Sequence, residues 1–400
     1  MIRSRRAASW TCLTALAVLL GACGPRDVQA PDALAGHWEG SVAYRDATLP
    51  VDLDIEVRAG APVARLTVPG LLLRDVPAEA FAYRSPKLQF RFPVGGETWK
   101  FDGWFRRNMV VGTFSGGSLP RTFNRGQLPQ LGLRRVKRKP DPYTADTVRF
   151  AGGASRLAGT VYVPADSDTV ALPGVLLLHP DGDGTREASP ELAERFARQG
   201  FAVLAFDTRG RGASAGAPAT AASDLEFDAS EALEFLRRHP AVDPARVGVC
   251  GGSLGAVLVP RVALRVHPAF AVALSPPAEP LARGRGEVPE WARAERDADP
   301  VASWAAVRAP ALVLLGERDE VQASEPAAKR FAAALAAEGH AAVRVDRVPR
   351  ADHALRVKTA FGEAYDFPRA APGGLDTLFA WTRRRVGLAP LPPPLVPPMR

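Results

Sequence analysis

The sequence predicts a two-part protein: a small antiparallel β domain, followed by an α/β domain with a mostly parallel sheet covered by helices on both faces. Two patterns predict this order. Apolar and polar residues alternate with a period of two in the first third of the chain, whereas buried strand-like runs alternate with amphipathic helical runs in the rest. The composition, 46% hydrophobic and 24% charged, is that of a globular protein and excludes a disordered chain or a disulfide-stapled miniprotein.

The first 22 residues have the pattern of a lipoprotein signal peptide. Three arginines and no acidic residue precede an apolar run, Leu13 to Leu20, which is too short to span a bilayer as a stable helix. The run ends in Leu-Gly-Ala-Cys, with the cysteine at position 23, and this ending resembles the bacterial lipobox. The resemblance implies cleavage before Cys23, lipid on Cys23 and a bacterial envelope protein tethered to a membrane, facing the periplasm or the exterior. An ordinary cleaved signal, with Cys23 incidental, is the alternative.

Charge and cysteine usage narrow the function classes further. The net charge of +8 falls to +5 without the three leader arginines, leaving 48 basic against 43 acidic residues, and arginines scattered among Glu and Ala are typical of a solvated surface rather than a nucleic-acid groove. Of the three cysteines, Cys12 lies in the leader, Cys23 is assigned the lipid, and Cys250 is left alone. The mature chain therefore needs no internal disulfide in an oxidising compartment.

Residues 34–138 are expected to form a small antiparallel β-barrel or sandwich. In Val51–Val57 apolar and acidic residues alternate without a break, and Gly and Pro punctuate the neighbouring segments at short intervals. The further candidate strands are 37–44, 63–68, 88–92, 98–105, 109–114 and 130–136. Two roles remain open, binding of a ligand or substrate and a spacer that holds the next domain off the membrane. The spacer is favoured because no polar cluster with catalytic spacing occurs here.

Residues 139–147 are polar, contain two prolines and are predicted to be a linker to a domain at 148–388. Candidate strands there are 174–179, 201–207, 246–250, 270–275, 310–316 and 342–348, and candidate helices are 189–200, 224–239, 255–267, 324–339 and 373–387. Their alternation predicts a parallel sheet, in which catalytic groups gather at the carboxyl ends of the strands. The Pro-rich tail, 389–400, is expected to be an extended strap or disordered.

The pattern G-x-S-x-G occurs twice, at 212–216 and 251–255. In a nucleophile elbow a strand leads directly into the serine and a helix follows at once. Ser253 has a strand-like run before it and a helical run after it, whereas Ser214 lies several residues beyond its strand with no prompt helix. Ser253 is therefore the predicted nucleophile and Ser214 a loop serine. The glycines expected to let the elbow pack are Gly251, Gly252 and Gly255.

A serine hydroxyl needs a base to take its proton and an acid to orient that base. In elbow-type enzymes the acid and then the histidine follow the serine along the chain. His353 lies in a loop after a strand and is preferred over His340, which sits at a helix end. Asp319 follows the strand 310–316 and is preferred over Asp352, which as the neighbour of the histidine would point away.

Over about residues 147–388 these segments resemble the α/β-hydrolase superfamily, closest to its dienelactone-hydrolase and acyl-peptidase-like branch. The matching segments, in the order of the family, are LLLHPDGDG, AFDTRGRGASAG, VDPARVGVCGGSLG, LVLLGERDEV and ADHAL. The resemblance implies the α/β-hydrolase fold and serine-mediated acyl transfer to water without a metal or an organic cofactor. With its leader and β-rich front half, the chain is also similar to secreted bacterial esterases, which implies a small-molecule ester or acyl substrate.

One departure from that family concerns the oxyanion. Relatives commonly have His-Gly after the first parallel strand, where this chain has His179-Pro180-Asp181. Because proline has no N–H to donate, the backbone amides of Leu254 and Asp181 are the expected oxyanion donors. An inward-pointing Asp181 carboxylate would slow the reaction, and His179 is expected to be structural.

The sequence leaves three functions open. The first is a carboxylic-ester hydrolase with an acyl-enzyme on Ser253, and the second is a peptidase or amidase with the same residues. The third is a non-catalytic binding lipoprotein with a vestigial hydrolase fold, against which the intact triad argues. Only residues 276–309 could form a lid, so a small or absent lid and an open site are expected. The front domain is also too short to gate the site as the propeller of prolyl-oligopeptidase relatives does, which weakens the second function.

Overall fold

The computed structural model describes most of the chain. The leader with Cys23, the competing His340 and the tail beyond residue 390 lie outside the described residues. The described ranges are 30–44, 47–68, 73–94, 97–115, 130–153, 155–165, 171–182, 184–188, 190–284, 287–336, 343–360, 366–371 and 373–390.

The N-terminal domain is a nine-stranded antiparallel sheet. Its strands are β1 Gly36–Tyr44, β2 Ala47–Arg58, β3 Ala61–Val68, β4 Leu73–Pro77, β5 Ala80–Arg84, β6 Lys87–Val94, β7 Glu97–Arg106, β8 Met109–Ser115 and β9 Gln130–Val136. They are ordered β4-β3-β2-β1-β9-β8-β7-β6-β5. The link from β4 to β5 closes the sheet, because Ala78 N–H donates to the Ala64 carbonyl of β3 and Glu79 N–H to the Arg91 carbonyl of β6. Of the two predicted forms, the domain is therefore the barrel.

The two-residue period of the sequence decides which side chains fill this barrel. In β2, Val51, Leu53 and Ile55 are buried, while the acidic residues between them face outward. The interior is rich in aromatic rings, and those of Phe90 and Phe101 stack with centroids 4.3 Å apart. The inward-facing side chains pack against one another, so the barrel has a hydrophobic core of its own.

The C-terminal domain has an eight-stranded sheet that follows directly on the barrel. Its strands are β10 Tyr143–Gly152, β11 Ser155–Pro164, β12 Leu172–Leu178, β13 Ala202–Phe206, β14 Val242–Gly252, β15 Ala271–Leu274, β16 Ala311–Gly316 and β17 Val343–Val348. They are ordered β10-β11-β13-β12-β14-β15-β16-β17. The strands β10 and β11 pair antiparallel, as do β11 and β13, and all the pairs beyond them are parallel.

Helices cover both faces of this sheet. They are α1 Pro190–Arg198, α2 Ala222–Arg237, α3 Gly255–Val266, α4 Ser324–Ala336 and α5 Gly374–Arg385. The helices α2, α3 and α4 share one hydrophobic core with the sheet, and α1 and α5 share the other. A hairpin of β18 Arg356–Ala360 and β19 Asp366–Ala370 precedes α5. Within the described ranges, no helix combines the length and the hydropathy that crossing a membrane requires.

The predicted fold class is confirmed, with one change at the domain junction. Strand β10 begins at Tyr143, inside the predicted linker 139–147, so the second domain starts before residue 148. Between β15 and β16, where a lid would be inserted, the described residues form three short 3-10 helices, and the rings of Trp291 and Trp304 are buried in the core beneath them. The lid is therefore small, as predicted.

Candidate active site

Ser253 lies on a strained turn between strand β14 and helix α3. Its φ of 48° is in the left-handed region that non-glycine residues rarely adopt, and its backbone N–H donates a 2.8 Å hydrogen bond to the Leu274 carbonyl of the next strand. Helix α3 begins two residues later. The strand, the strained serine and the prompt helix have the geometry of a nucleophile elbow, which lifts the hydroxyl above the carboxyl edge of the sheet.

The three glycines of the elbow are not equivalent. A Cβ on Gly255 would overlap the backbone oxygen of His179, and one on Gly251 would lie 2.8 Å from the Gly255 oxygen. A Cβ on Gly252 would have its nearest neighbour 3.8 Å away, which is ordinary contact. Close packing therefore requires glycine on either side of the elbow, as expected, but it does not require Gly252.

The structure brings together the three side chains that the sequence singled out. The hydroxyl Oγ of Ser253 lies 3.1 Å from Nε2 of His353, and Nδ1 of His353 lies 2.9 Å from Oδ2 of Asp319. Asp319 follows β16 and His353 follows β17, the neighbouring strand, so both loops emerge at the same edge of the sheet. A backbone hydrogen bond of 2.8 Å from Arg318 N–H to the Ala351 carbonyl joins the two loops.

The carboxylate of Asp319 is held in its ionised form. Its side chain is fully buried, and burial raises the pKa of the carboxyl. The hydrogen bond with His353 and the N–H groups of Val321 and Gln322, which donate to Oδ1 at 2.8 and 3.2 Å, outweigh that cost and lower the pKa overall. An ionised Asp319 can orient the imidazole and stabilise its protonated form.

The two residues that compete with Ser253 and Asp319 in the sequence have other roles. Ser214 Oγ donates a 2.6 Å hydrogen bond to the Asp207 carbonyl and accepts one of 2.8 Å from Ala158 N–H, so it ties a loop to strand β11. Asp352 accepts a 2.7 Å hydrogen bond from the backbone N–H of Arg356 through Oδ1. Among the described hydrogen bonds, neither side chain is bonded to Ser253 or to the His353 ring.

The two predicted oxyanion donors, the backbone N–H groups of Leu254 and Asp181, differ in whether they already have a hydrogen-bond acceptor. Within the described part of the chain, the Leu254 N–H has no acceptor, as an oxyanion donor requires. The Asp181 N–H instead donates to Nδ1 of His179 at 3.1 Å, and can serve an oxyanion only after leaving that ring. The Asp181 side chain is 80% exposed, so its carboxylate points to solvent rather than toward the reaction centre.

An apolar pocket of about 330 Å³ opens beside Ser253 and His353. Most of its wall is formed by Leu177, Leu178, Leu192, Leu274, Leu355 and Leu375. Cys250 also lines it, and because complete burial raises the pKa of its thiol to about 12, this cysteine is a neutral apolar contact. Such a pocket can accept a hydrocarbon group next to the serine.

Sequence reasoning missed the contribution of helix α1 to this pocket. Glu191 and Leu192, in the first turns of α1, lie on the pocket wall. Burial raises the pKa of the Glu191 carboxyl to about 7, opposed by Arg195 at 2.9 Å. Nothing in the α1 sequence distinguishes these residues from those of an amphipathic surface helix.

Among the described residues, no group of three or more His, Cys, Asp or Glu is arranged to hold a metal ion.

Fold and site together define the class of the C-terminal domain: it is an α/β-hydrolase of the serine-hydrolase kind. Consistent with this class, residues 152–282 match the profile of the family described as X-Pro dipeptidyl-peptidase (S15 family). The match spans strands β11 to β15 and includes Ser253, but ends before Asp319 and His353.

Curated relatives match parts of the same domain. An uncharacterized protein of Mycobacterium tuberculosis is 34% identical over 184 residues, which cover 45% of this chain and 63% of that protein. A cutinase of Thermobifida alba is 26% identical over 137 residues, 33% of this chain and 44% of the cutinase. The chain thus spans less than two thirds of the length of these relatives.

Solved structures that align with part of this chain include three hydrolases. An esterase of Pyrococcus furiosus aligns with 22% identity and a TM-score of 0.42 over 52% of this chain and 84% of its own. A putative dienelactone hydrolase of Klebsiella pneumoniae has 18% identity and a TM-score of 0.45 over 60% and 99%. A bacterial heroin esterase has 18% identity and a TM-score of 0.47 over 62% and 85%.

Proposed function

We propose that this protein hydrolyses carboxylic esters through an acyl-enzyme on Ser253. The observation that carries the proposal is the 3.1 Å contact between Ser253 Oγ and His353 Nε2 at the mouth of an apolar pocket. That contact lets the imidazole take the hydroxyl proton, and the pocket gives the acyl group of an ester a place to lie.

The reaction proceeds in two halves. Ser253 Oγ attacks the carbonyl carbon while His353 Nε2 takes its proton, and the resulting oxyanion accepts a hydrogen bond from Leu254 N–H and from Asp181 N–H once it leaves the His179 ring. The tetrahedral intermediate collapses, the alcohol leaves with the proton from His353, and the acyl group stays on Ser253. Water then attacks the acyl-enzyme by the same steps and releases the acid.

The charges around the pocket favour a neutral aliphatic or small aromatic acyl group. Besides His353, the ionisable residues that line the pocket in the described part of the chain are Glu191, Asp181 with its solvent-exposed carboxylate, and the neutral Cys250. A carboxylate on the acyl group would be repelled by these acids, and the described lining residues include no Lys or Arg to pair with it. The proposed substrates are therefore uncharged esters.

Labelling with a fluorophosphonate probe tests the proposal, because such probes react with activated serines. We expect the wild type and Ser214→Ala to be labelled and Ser253→Ala not to be labelled. Ser214→Ala is the matched control, since both serines lie in a G-x-S-x-G sequence. The labelled protein is then assayed on p-nitrophenyl esters from acetate to octanoate. If the wild type is not labelled and cleaves no ester, the proposal is wrong and the non-catalytic binding function is favoured.

A second candidate function is amide hydrolysis by the same residues. The match of residues 152–282 to the X-Pro dipeptidyl-peptidase profile favours it. Dipeptidyl p-nitroanilides with proline in the second position test it directly. Cleavage of these amides at a kcat/KM equal to or above that for the best p-nitrophenyl ester would make the protein a peptidase, whereas cleavage of esters alone supports the first proposal.

We also propose that the protein acts in the bacterial envelope, anchored through lipid on Cys23. The support is the leader sequence, in which a basic start, a short apolar run and a Leu-Gly-Ala-Cys ending follow one another. An anchored location would keep the enzyme at a membrane, into which hydrophobic esters partition.

A further inference from the structure

Helix α1 lies between the active-site pocket and the N-terminal barrel. Glu191 and Leu192 of its first turns face the pocket, and Ala193, Phe196 and Ala197 pack into the hydrophobic core beneath. One turn after Glu191, Glu194 forms an ion pair with Arg74 of the barrel, and both glutamates line a second pocket together with barrel residues. The same short helix therefore forms part of the pocket wall and part of the contact between the domains.

Arg74 of strand β4 connects the barrel to this helix. The Arg74 guanidinium forms an ion pair with Glu194, donates a 3.0 Å hydrogen bond to the Tyr143 hydroxyl and lies 3.2 Å from an Asp141 carboxylate oxygen. Arg74 is 18% exposed and Glu194 only 9%. At the end of α1, Arg198 adds a 2.8 Å ion pair with Asp141. The described contacts thus tie α1 to the barrel and to the connection that follows it.

Because Glu194 is buried, its carboxylate depends on Arg74 as its charge partner. Burial raises the pKa of the Glu194 carboxyl, while Arg74 and a hydrogen bond with Tyr143 oppose that rise. Without the guanidinium, Glu194 would keep a buried charge with the Tyr143 hydroxyl as its main partner, so α1 must move toward water or Glu194 must take up a proton.

The first turn of α1 separates two cavities. On one side lies the 330 Å³ pocket beside Ser253, and on the other lies a charged groove of about 710 Å³ between the two domains. Pro190 and Glu194 line that groove, and Glu191 and Leu192 line the pocket. Ala193, Phe196 and Ala197 hold the core-facing side of α1, whereas its first turn has open space on two sides, so the Arg74–Glu194 ion pair is the contact that fixes this turn against the barrel.

We propose that the barrel is a structural part of the active site, and that Arg74 is a positioning residue that sets the α1 wall of the acyl pocket. The length of acyl chain that the enzyme accepts then depends on a residue of the other domain. The kinetic readout of this inference rests on the proposed ester hydrolysis, but the position of the wall does not.

The test is Arg74→Met in the full chain, with Arg65→Met as the matched control. Arg65 lines the same groove and donates to the Asp75 carbonyl, with no contact to α1 among its described hydrogen bonds and ion pairs. For Arg74→Met we expect kcat/KM on p-nitrophenyl octanoate to fall about tenfold or more, mainly through KM, because a misplaced wall spoils the fit of the chain. On p-nitrophenyl acetate, which does not reach the wall, kcat/KM should stay within about threefold.

A purely structural role for Arg74 would give a different result. Loss of folded protein lowers the rates on both esters in parallel and lowers the fraction that a fluorophosphonate labels, and that outcome would overturn the inference. Equal rates for the wild type and the variant on both esters would overturn it as well. Arg74→Lys, which keeps the charge, should recover part of the octanoate activity.

Two further measurements keep the inference testable whatever the catalytic outcome. A double-mutant cycle of Arg74→Met and Glu194→Gln should show non-additive effects on octanoate KM, since both changes remove the same contact. Binding of 1-octanol, a neutral chain that needs no turnover, should weaken about tenfold in Arg74→Met but not in Arg65→Met. If no ester is cleaved but octanol binding follows this pattern, the proposed function fails and the inference on Arg74 stands; unchanged octanol binding overturns the inference.

Discussion

The backbone N–H of Gly255 donates a 3.2 Å hydrogen bond to the carbonyl oxygen of Pro180. This bond joins the start of helix α3 to the loop that carries Asp181, one of the two expected oxyanion donors. The two backbones lie so close that a Cβ on Gly255 would overlap the His179 carbonyl oxygen. The elbow and the oxyanion loop therefore pack as one unit, and this close packing is possible because residue 255 is a glycine and has no Cβ.

Replacing the elbow glycines one at a time tests this packing. We expect Gly255→Ala to cost about 1–3 kcal/mol of unfolding free energy, because two backbone segments must separate, and to abolish ester hydrolysis. Gly252→Ala should leave Tm within about 2 °C of the wild type, because its Cβ would have its nearest neighbour 3.8 Å away. Thermal melts and p-nitrophenyl acetate rates measure both. Equal losses in the two variants would contradict the difference in packing.

Asp319→Asn should remove the orientation of His353 without disturbing the fold. The amide cannot stabilise the protonated imidazole, so kcat is expected to fall about 10³–10⁴-fold with little change in KM. Asp352→Asn is the matched control, because that carboxylate accepts from Arg356 N–H and lies outside the triad. Steady-state kinetics of the two variants on one ester decide the matter. An Asp319→Asn enzyme with more than a tenth of the wild-type kcat would remove Asp319 from the mechanism.

The positions of Ser253, Asp319 and His353 could be predicted because local pattern and chain order were sufficient. The strand before Ser253 is a continuous apolar run and the helix follows at once, so the two copies of G-x-S-x-G could be told apart. The acid and the base each follow a strand of the predicted parallel sheet, and such strands bring their carboxyl ends to one edge. The structure reproduces this arrangement in the loops after β16 and β17.

Strands β10 and β11 and the domain contact could not be predicted in the same way. In β10 four exposed residues separate the buried Tyr143 from Val148, Phe150 and Gly152, so a period of two covers only the end of the strand. The Arg74–Glu194 pair joins residues 120 positions apart in sequence, on elements whose packing depends on the whole fold. The sequence of the barrel alone therefore favoured a spacer, with no sign of a contact to the pocket wall.

The envelope location leads to a prediction about the leader cysteines. In a bacterial host, Cys23→Ser should move the protein from the membrane fraction to the soluble fraction and abolish incorporation of labelled palmitate. Cys12→Ser is the matched control, because Cys12 lies within the segment that is expected to be removed. Fractionation and autoradiography provide the readout. Palmitate on Cys23→Ser, or a wild type without it, would leave an ordinary signal peptide as the explanation of the leader.

Glu191 makes the size preference of the pocket depend on pH. Burial raises the pKa of its carboxyl to about 7, with Arg195 opposing the rise. Below that pH the group is neutral, and above it a charge lies on the wall of an apolar pocket and disfavours a hydrocarbon chain beside it. The ratio of kcat/KM for p-nitrophenyl octanoate to that for the acetate should therefore fall as pH rises from about 6 to about 8. Taking the ratio cancels the ionisation of the triad, which both substrates share.

Glu191→Gln should make this ratio independent of pH, because the amide carries no charge at any pH in the range. Glu325→Gln, which removes an exposed carboxyl 2.8 Å from Lys329 and outside the pocket lining, should keep the wild-type slope. If the ratio in Glu191→Gln still fell with pH, the titrating group would lie elsewhere in the site. A flat ratio in the wild type would mean that Glu191 does not change its charge beside the acyl chain in this pH range.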